Sequence, residues 1–280
     1  MTIREIINEY KDKFENVQDI YSVIKLVTEM DNIQISLYKD LLLPEDFKTK
    51  IISYLDKIIN ENYPVQYLTH FQAFFNEVYY VDENVLIPRQ DTEILVEKAI
   101  DYIRSENITN AIDLCTGSGC IGISIARNSD IEKVILVDIS AKALDIADRN
   151  IEDNYIEDKV STMKSNLLDE IIKSGIKTDM IVSNPPYIKS KDMASLDANV
   201  KYEPTLALDG GITGMDFYEK IVEQAKLVLN NNGLLIFEIG YDELEQMKEL
   251  INNNKEYTML ESVKDYGGND RVVVCRFQQM

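Results

Sequence analysis

Ala111-Ile112-Asp113-Leu114-Cys115-Thr116-Gly117-Ser118-Gly119 opens as a short buried strand and closes in a sharp glycine turn. Cys120 to Ala126 continues as a helix, so Gly117, Gly119 and Gly122 keep the spacing G-x-G-x-x-G between a strand and a helix. Glycines let the backbone approach a ligand closely, at a helix N-terminus that favours polar or anionic groups. Val134 to Val137 reads as the next strand and ends at Asp138, 19 positions after Gly119. An acid at that place can hydrogen-bond ribose hydroxyls. The glycine pattern alone is a weak signal; strand, turn, helix, strand and acid in register say considerably more.

Working outward, the alternation continues. Ala141 to about Asn154 is an amphipathic helix, and Val160 to Met163 a strand that ends before Ser165-Asn166-Leu167. Asp179 to Ser183 is the fourth strand. Phe217 to Leu229 reads as a helix stopped by Asn230-Asn231-Asn232-Gly233. Leu234 to Ile239 is a strand, Leu244 to Ile251 a helix, and Tyr257 to Ser262 and Arg271 to Phe277 two closing strands around Gly267-Gly268. Strands alternating with helices predict a parallel α/β sheet covered on both faces, and the closing pair adds an antiparallel edge. Ligands in such sheets sit at strand carboxyl ends, near the switch point. Gly117, Asp138, Asn166 and Asn184 should therefore line one crevice. The stretch 188–216 has no periodicity, and a long loop beside a site is often functional.

The fourth strand ends unusually, at Ile181-Val182-Ser183-Asn184-Pro185-Pro186-Tyr187-Ile188. Proline cannot donate a ladder hydrogen bond, and it biases the residue before it toward extended backbone. The Asn184 side-chain amide and nearby carbonyls are thus held with little freedom, beside the flat face of Tyr187. Such a corner suits a planar amino group, offering two oxygen acceptors for its two N–H donors. Asn-Pro is equally an ordinary turn signal.

Composition narrows the classes. The formal charge of −20 argues against a broad basic face for phosphate backbones. No apolar run approaches membrane-spanning length, and Met1-Thr2-Ile3-Arg4-Glu5 does not begin a signal peptide. Cys115, Cys120 and Cys275 are too few and too poorly spaced for a disulfide framework or zinc cluster, and read as reduced thiols of a cytoplasmic protein. His70 is the only histidine, which disfavours histidine-based nucleophilic catalysis.

Toward the N-terminus, helical spacing joins Ile3, Ile6, Ile7, Tyr10 and Phe14, then Ile20, Val23, Ile24, Val27 and Met30. A third set runs from Phe47 to Ile59 behind Pro44. Pro64 to His70 reads as a loop. Phe74 to Val81 and Val85 to Ile87 read as a hairpin turning at Asp82-Glu83-Asn84. Thr92 or Asp91 then caps a helix running to about Arg104. Arg89 and Glu93 are spaced for a salt bridge beside the site.

Asp113 to Gly119, Asp138 and Asn184-Pro185-Pro186-Tyr187 resemble the signature of class I S-adenosylmethionine-dependent methyltransferases acting on planar amino nitrogens. Further segments resemble the peptide chain release factor glutamine methyltransferases. These are Pro64-Val65-Gln66-Tyr67, Val85 to Glu93, Glu203-Pro204, Ala207-Leu208-Asp209-Gly210-Gly211 and Gly214. The resemblance implies a Rossmann-like, seven-stranded mixed sheet behind a helical substrate-recognition domain (1–72) and a hairpin linker (73–89), with the catalytic domain at 90–280. It implies methylation of a glutamine amide, in the GGQ motif of class 1 release factors, by a cytoplasmic monomer using S-adenosylmethionine, with S-adenosylhomocysteine as product and no metal, nucleic acid or membrane involved. Cys115, Thr116, Gly117, Ser118, Gly119, Asp138, Asn166, Leu167 and Asn184 would hold the cofactor. Asn184, Pro185, Pro186 and Tyr187 would hold the substrate amide, with Asn184, Pro185 and Tyr187 catalytic. Two positions depart from the pattern. Cys115 replaces a usual glycine, which a cysteine can do at negative φ. Asn166 replaces a common aspartate while keeping an acceptor oxygen. Three rival readings remain. A base amino methyltransferase would use the same corner on a flipped base, a nicotinamide dehydrogenase would use the glycine turn and acid, and a non-catalytic binding module would use the fold alone.

Overall fold

The computed structural model describes residues 1–279 and divides into two compact units. One comprises Met1–Phe71 with Asp197–Tyr202, and the other Gln72–Leu196 with Glu203 onward. The first unit holds α1 (Ile3–Tyr10), α2 (Val17–Thr28), α3 (Asn32–Tyr38), α4 (Glu45–Glu61) and α5 (Val65–Thr69). Thr2 and Glu5 close a capping box over the first turn of α1, satisfying otherwise orphaned N–H groups. Ile3, Ile6, Ile20, Ile24, Ile51 and Leu55 are fully buried in this unit's core, as their helical spacing predicts. Pro64 to His70, expected as a loop, instead contains α5. Pro64 suits a helix start because the first-turn N–H that proline lacks has no partner in a helix anyway.

The second unit begins with a hairpin, β1 (Gln72–Phe74) against β2 (Glu77–Tyr79). The expected hairpin at 74–87 is misplaced. The chain reverses at Phe75 and Asn76, with φ of 48° and 67°, and Val85 to Ile87 form no strand. Asn76 suits that left-handed turn and Phe75 does not, so the aromatic run hid it.

Then follow α6 (Glu93–Glu106), β3 (Asn110–Leu114), α7 (Cys120–Asn128), β4 (Lys133–Asp138), α8 (Ala141–Asp153), β5 (Val160–Lys164), α9 (Asp169–Lys173) and β6 (Thr178–Ser183). After them come α10 (Thr205–Leu208), α11 (Asp216–Ala225), β7 (Leu229–Glu238), α12 (Leu244–Asn253), β8 (Tyr257–Lys264) and β9 (Asp270–Phe277). The seven-stranded sheet has the order β5-β4-β3-β6-β7-β9-β8. It is parallel up to β7, while β9 runs antiparallel to both neighbours. The order reverses between β3 and β6, which makes their carboxyl ends the switch point. Met180, Ile181 and Val182 of β6 are fully buried, alternating between two apolar layers on opposite sheet faces. Each such side chain contributes roughly 1.5–3 kcal/mol over its exposed state, so register is strongly held.

One boundary differs from expectation. Asn230 to Gly233 do not stop a helix; they lie inside β7, and α11 ends at Ala225. The ladder jumps from Thr178 opposite Leu229 to Met180 opposite Leu234, a bulge. Asn230 Nδ2 donates to Asp179 Oδ1 at 2.7 Å, so the polar run serves the bulge.

Candidate active site

A cavity of about 270 Å³ opens at the carboxyl ends of β3, β4 and β6, lined by Cys115 to Ser118, Asp138, Asn166, Leu167, Asn184 and Pro186. Along the β3 side the loop is held by its own sequence neighbourhood. Asp113, fully buried, accepts from the Thr116 hydroxyl at 2.6 Å and the Gly122 N–H at 2.9 Å. Burial raises its pKa to about 7, and those two donors pull against the rise. Asp138 accepts from Gly117 N–H at 3.0 Å through Oδ2 and from Ser140 N–H at 2.9 Å through Oδ1. The Ile139 N–H adds a third backbone donor, and the remaining acceptor capacity of the carboxylate, which lines the cavity, fits a ribose hydroxyl. Burial again raises the acid, and the same backbone donors offset it. A Cβ built on Gly117 would meet nothing within 4 Å, so the loop leaves room for a ligand there.

The backbone of this loop does less than expected. Thr116 N–H donates to Val137 O, Gly117 N–H to Asp138 and Gly119 N–H to Thr116 O, leaving none of the three for a ligand. Gly119 does not line the cavity at all. Cys115 sits at φ +61°, not the negative φ that would suit it. A left-handed L-residue costs roughly 1–2 kcal/mol, so the strain is carried at the mouth of the site. Burial raises its thiol pKa well above the usual range, and Asp138 adds to the rise. Leu167 also takes positive φ, at 49°.

The β6 side is assembled from distant segments. Asn184 Nδ2 donates to Thr92 Oγ1 at 3.4 Å, a span of 92 positions. Thr92 or Asp91 was expected to cap α6; Thr92 takes the N-cap position, but its side chain makes no cap bond. Its hydroxyl favours the ionised form of the Glu238 carboxyl, at the end of β7. Tyr187 OH lies 3.5 Å from Glu238 Oε1. Burial raises Glu238 to about 7, against lowering by Thr92, Arg271 and Tyr187 and a further rise from Asp91. Behind this corner, Ile188 N–H donates to Leu208 O at 3.0 Å and Gly210 N–H to Ile188 O at 2.7 Å. A Cβ on Gly210 would stand 2.5 Å from Tyr187 Cα, which is why no larger residue fits there. The 188–216 stretch therefore packs its far end on the Pro-Pro-Tyr backbone.

Residues 90–200 match the Methyltransferase small domain family. The release factor glutamine methyltransferase of Thermodesulfovibrio yellowstonii is 34% identical over 282 residues, covering 98% of this chain and 96% of that one. The chain belongs to the release factor glutamine methyltransferase family. The member from Clostridium acetobutylicum is 41% identical over 198 residues, 70% of this chain and 69% of its own. A ribosomal protein uL3 glutamine methyltransferase of Francisella tularensis is 34% identical over 210 residues, 71% of this chain and 62% of its own. In fold, the chain is similar to the ribosomal protein L11 methylase of Lactobacillus delbrueckii, with TM-score 0.50 and 20% identity over 68% of this chain and 81% of that one. It is also similar to SMU.776, a methyltransferase complexed with SAH, with TM-score 0.52 and 13% identity over 72% and 54%. Both support a class I methyltransferase fold.

For this family member, Asn184 and Pro186 share the cavity with Asp138, Asn166 and Leu167, while Pro185 and Tyr187 do not line it. Tyr187 packs its ring on the core under β6 and β7. Arg89 was expected to pair with Glu93. It pairs with Glu203 at 2.5 Å, whereas Glu93 accepts from Phe75 N–H at 3.0 Å. Cavity-lining Thr92, Phe217 and Lys220 were not anticipated as site residues. Glu238, the acid that closes the apolar run Leu234 to Phe237 of β7, was a legible signal. Among the described residues no cluster of metal-binding side chains occurs, and no helix is long and apolar enough to cross a membrane.

Proposed function

We propose that this chain transfers a methyl group from S-adenosylmethionine to the side-chain amide nitrogen of a glutamine in class 1 peptide chain release factors. The observation that carries the reading is the Asn184 amide, tied to Thr92 at a strand end, in the same cavity as the Asp138 carboxylate. Bound cofactor would supply an electrophilic sulfonium methyl. Asp138 would take the ribose hydroxyls, with Leu167 beside the base and Asn166 as an uncharged acceptor.

An amide nitrogen is a poor nucleophile because its lone pair is delocalised into its carbonyl. Asn184 Oδ1 and the Pro185 carbonyl would accept its two N–H bonds and stabilise the positive charge that grows as nitrogen attacks. Tyr187, packed beneath the corner, would fix the backbone rather than stack on the substrate. The proton leaves to water after transfer, so no histidine base is needed. Holding both reactants in line supplies much of the remaining acceleration.

The charge of −20 supports a protein substrate over a nucleic acid. The uL3-modifying relative makes a ribosomal protein glutamine the second reading. The test is incubation with S-adenosylmethionine and, in separate arms, a release factor, uL3 and a DNA duplex, read by mass spectrometry. Methylation of the release factor at its GGQ glutamine is expected. Modification of uL3 alone, or of DNA alone, would overturn the substrate assignment. We further propose a cytoplasmic monomer, which sedimentation of the purified chain would check for oligomeric state.

A further inference from the structure

We propose that Arg89 is a substrate-binding residue whose guanidinium, paired with the buried Glu203, donates to main-chain carbonyl oxygens of the peptide that carries the glutamine. The inference rests on the glutamine-methylating reading and deepens it.

Arg89 lines the cavity together with Asn184 and Pro186. It stands on the amide side. Its own carbonyl accepts from Thr92 N–H at 3.1 Å, and Thr92 Oγ1 accepts from Asn184 Nδ2 at 3.4 Å. Arg89 Nη2 donates to Glu203 Oε1 at 2.5 Å. The pair is lopsided, with the Glu203 side chain 2% exposed and that of Arg89 41%. Pro204, which also lines the cavity, biases Glu203 toward extended backbone. The guanidinium is thus anchored from behind through one of its several N–H donors, which leaves others to serve a ligand.

What those donors can meet follows from their chemistry. A guanidinium accepts no hydrogen bond, so its partner must offer oxygen lone pairs. Glu203 already supplies the matching negative charge, so a neutral acceptor suits the remaining donors, and peptide carbonyls are neutral. Two glycines precede the target in a GGQ motif, and without side chains their carbonyls can be approached closely. The carboxylate has a second effect. An unpaired guanidinium would oppose both a sulfonium in the cavity and the positive charge that grows on the amide nitrogen, whereas the ion pair offers its donors without net charge. Burial raises the Glu203 carboxyl, and the facing Arg89 works against the rise.

Arg89→Ala would strand a buried carboxylate and endanger the fold. The test therefore uses Arg89→Lys, which keeps the charge but loses the planar fork, Glu203→Gln, and the charge-free pair Arg89→Met with Glu203→Gln. Each is assayed on whichever protein the wild type methylates. Arg89→Lys and the charge-free pair should raise KM for that protein tenfold or more, with kcat and affinity for S-adenosylhomocysteine within threefold. Calorimetry without protein substrate supplies a second readout. Glu203→Gln should weaken S-adenosylmethionine at least threefold more than S-adenosylhomocysteine, whose sulfur is neutral, and the charge-free pair should restore the wild-type ratio. A KM rise below threefold in either Arg89 variant would overturn the proposal. So would a tenfold loss of S-adenosylhomocysteine affinity in both, which would put the cofactor's carboxylate on Arg89 instead. An unchanged ratio in Glu203→Gln would overturn the neutralising role of that acid. A wild type that methylates no protein would overturn the functional reading, and the proposal with it, before any variant is compared.

Discussion

The two halves of the cavity are built in opposite ways. The nucleotide half, from Asp113 to Asp138, closes on itself within 26 residues, with the Gly117, Thr116 and Gly119 N–H groups spent on Asp138, Val137 and Thr116. The amide half draws Thr92, Asn184, the 208–210 loop and Glu238 together from four separate segments. A locally satisfied loop can be stiff on its own account. A corner whose polar groups depend on remote partners is only as well oriented as those partners. Binding should therefore be damaged through the first half and turnover through the second.

The largest separation should come from Asn184→Ala. Removing one preorganised acceptor is worth roughly 3 kcal/mol, a hundredfold or more in kcat, with cofactor affinity unchanged. Steady-state kinetics together with titration calorimetry would check both numbers, and near-normal turnover would break the comparison. Asp138→Ala should do the reverse. Losing charged hydrogen bonds of roughly 1.5–3 kcal/mol would weaken cofactor binding up to about a hundredfold by calorimetry, with a smaller loss in kcat at saturating cofactor.

Gly210→Ala sharpens the contrast at lower amplitude. Its new methyl must push on the Tyr187 backbone, 2.5 Å away, at a cost of roughly 1–3 kcal/mol in stability. A kcat loss of about tenfold with intact cofactor affinity is expected, and an equal loss of affinity would show that the halves are not independent.

The smallest effect is on pH. Glu238 and Glu243 start from 4.5 and Asp113 from 3.8, and burial raises all three to about 7 in the folded chain. Between those values the folded state holds protons that the unfolded state has released. Their stabilising contribution is therefore complete below about pH 4 and is lost as pH rises toward 7. Each is worth at most roughly 3–4 kcal/mol on this scale. Melting temperature should rise on going from pH 8 to pH 5, and Glu238→Gln should flatten part of that slope. A melting temperature that falls over the same interval would contradict the burial assigned to these acids.

Asp113 to Gly119, Asp138 and the strand ending at Asn184 were readable because each is a local pattern. Apolar runs suit buried strands, glycines mark the turn, and tandem prolines end a ladder. The Rossmann-like order and the shared crevice at the strand ends follow from that alternation, since parallel strands with intervening helices have few ways to pack. Where local signals conflicted, the reading slipped. The Phe74 to Val81 run looked like one strand although it turns at Phe75 and Asn76, and Asn230 to Gly233 looked like a stop although they bulge within β7. The bond from Thr92 to Asn184, the carboxylate of Glu238 behind it, the Arg89–Glu203 pair and the left-handed Cys115 were decided only in three dimensions. Hydrogen-bond direction and backbone strain depend on which remote groups arrive beside a residue, and a linear chain carries no spacing rule for partners 92 or 114 positions away.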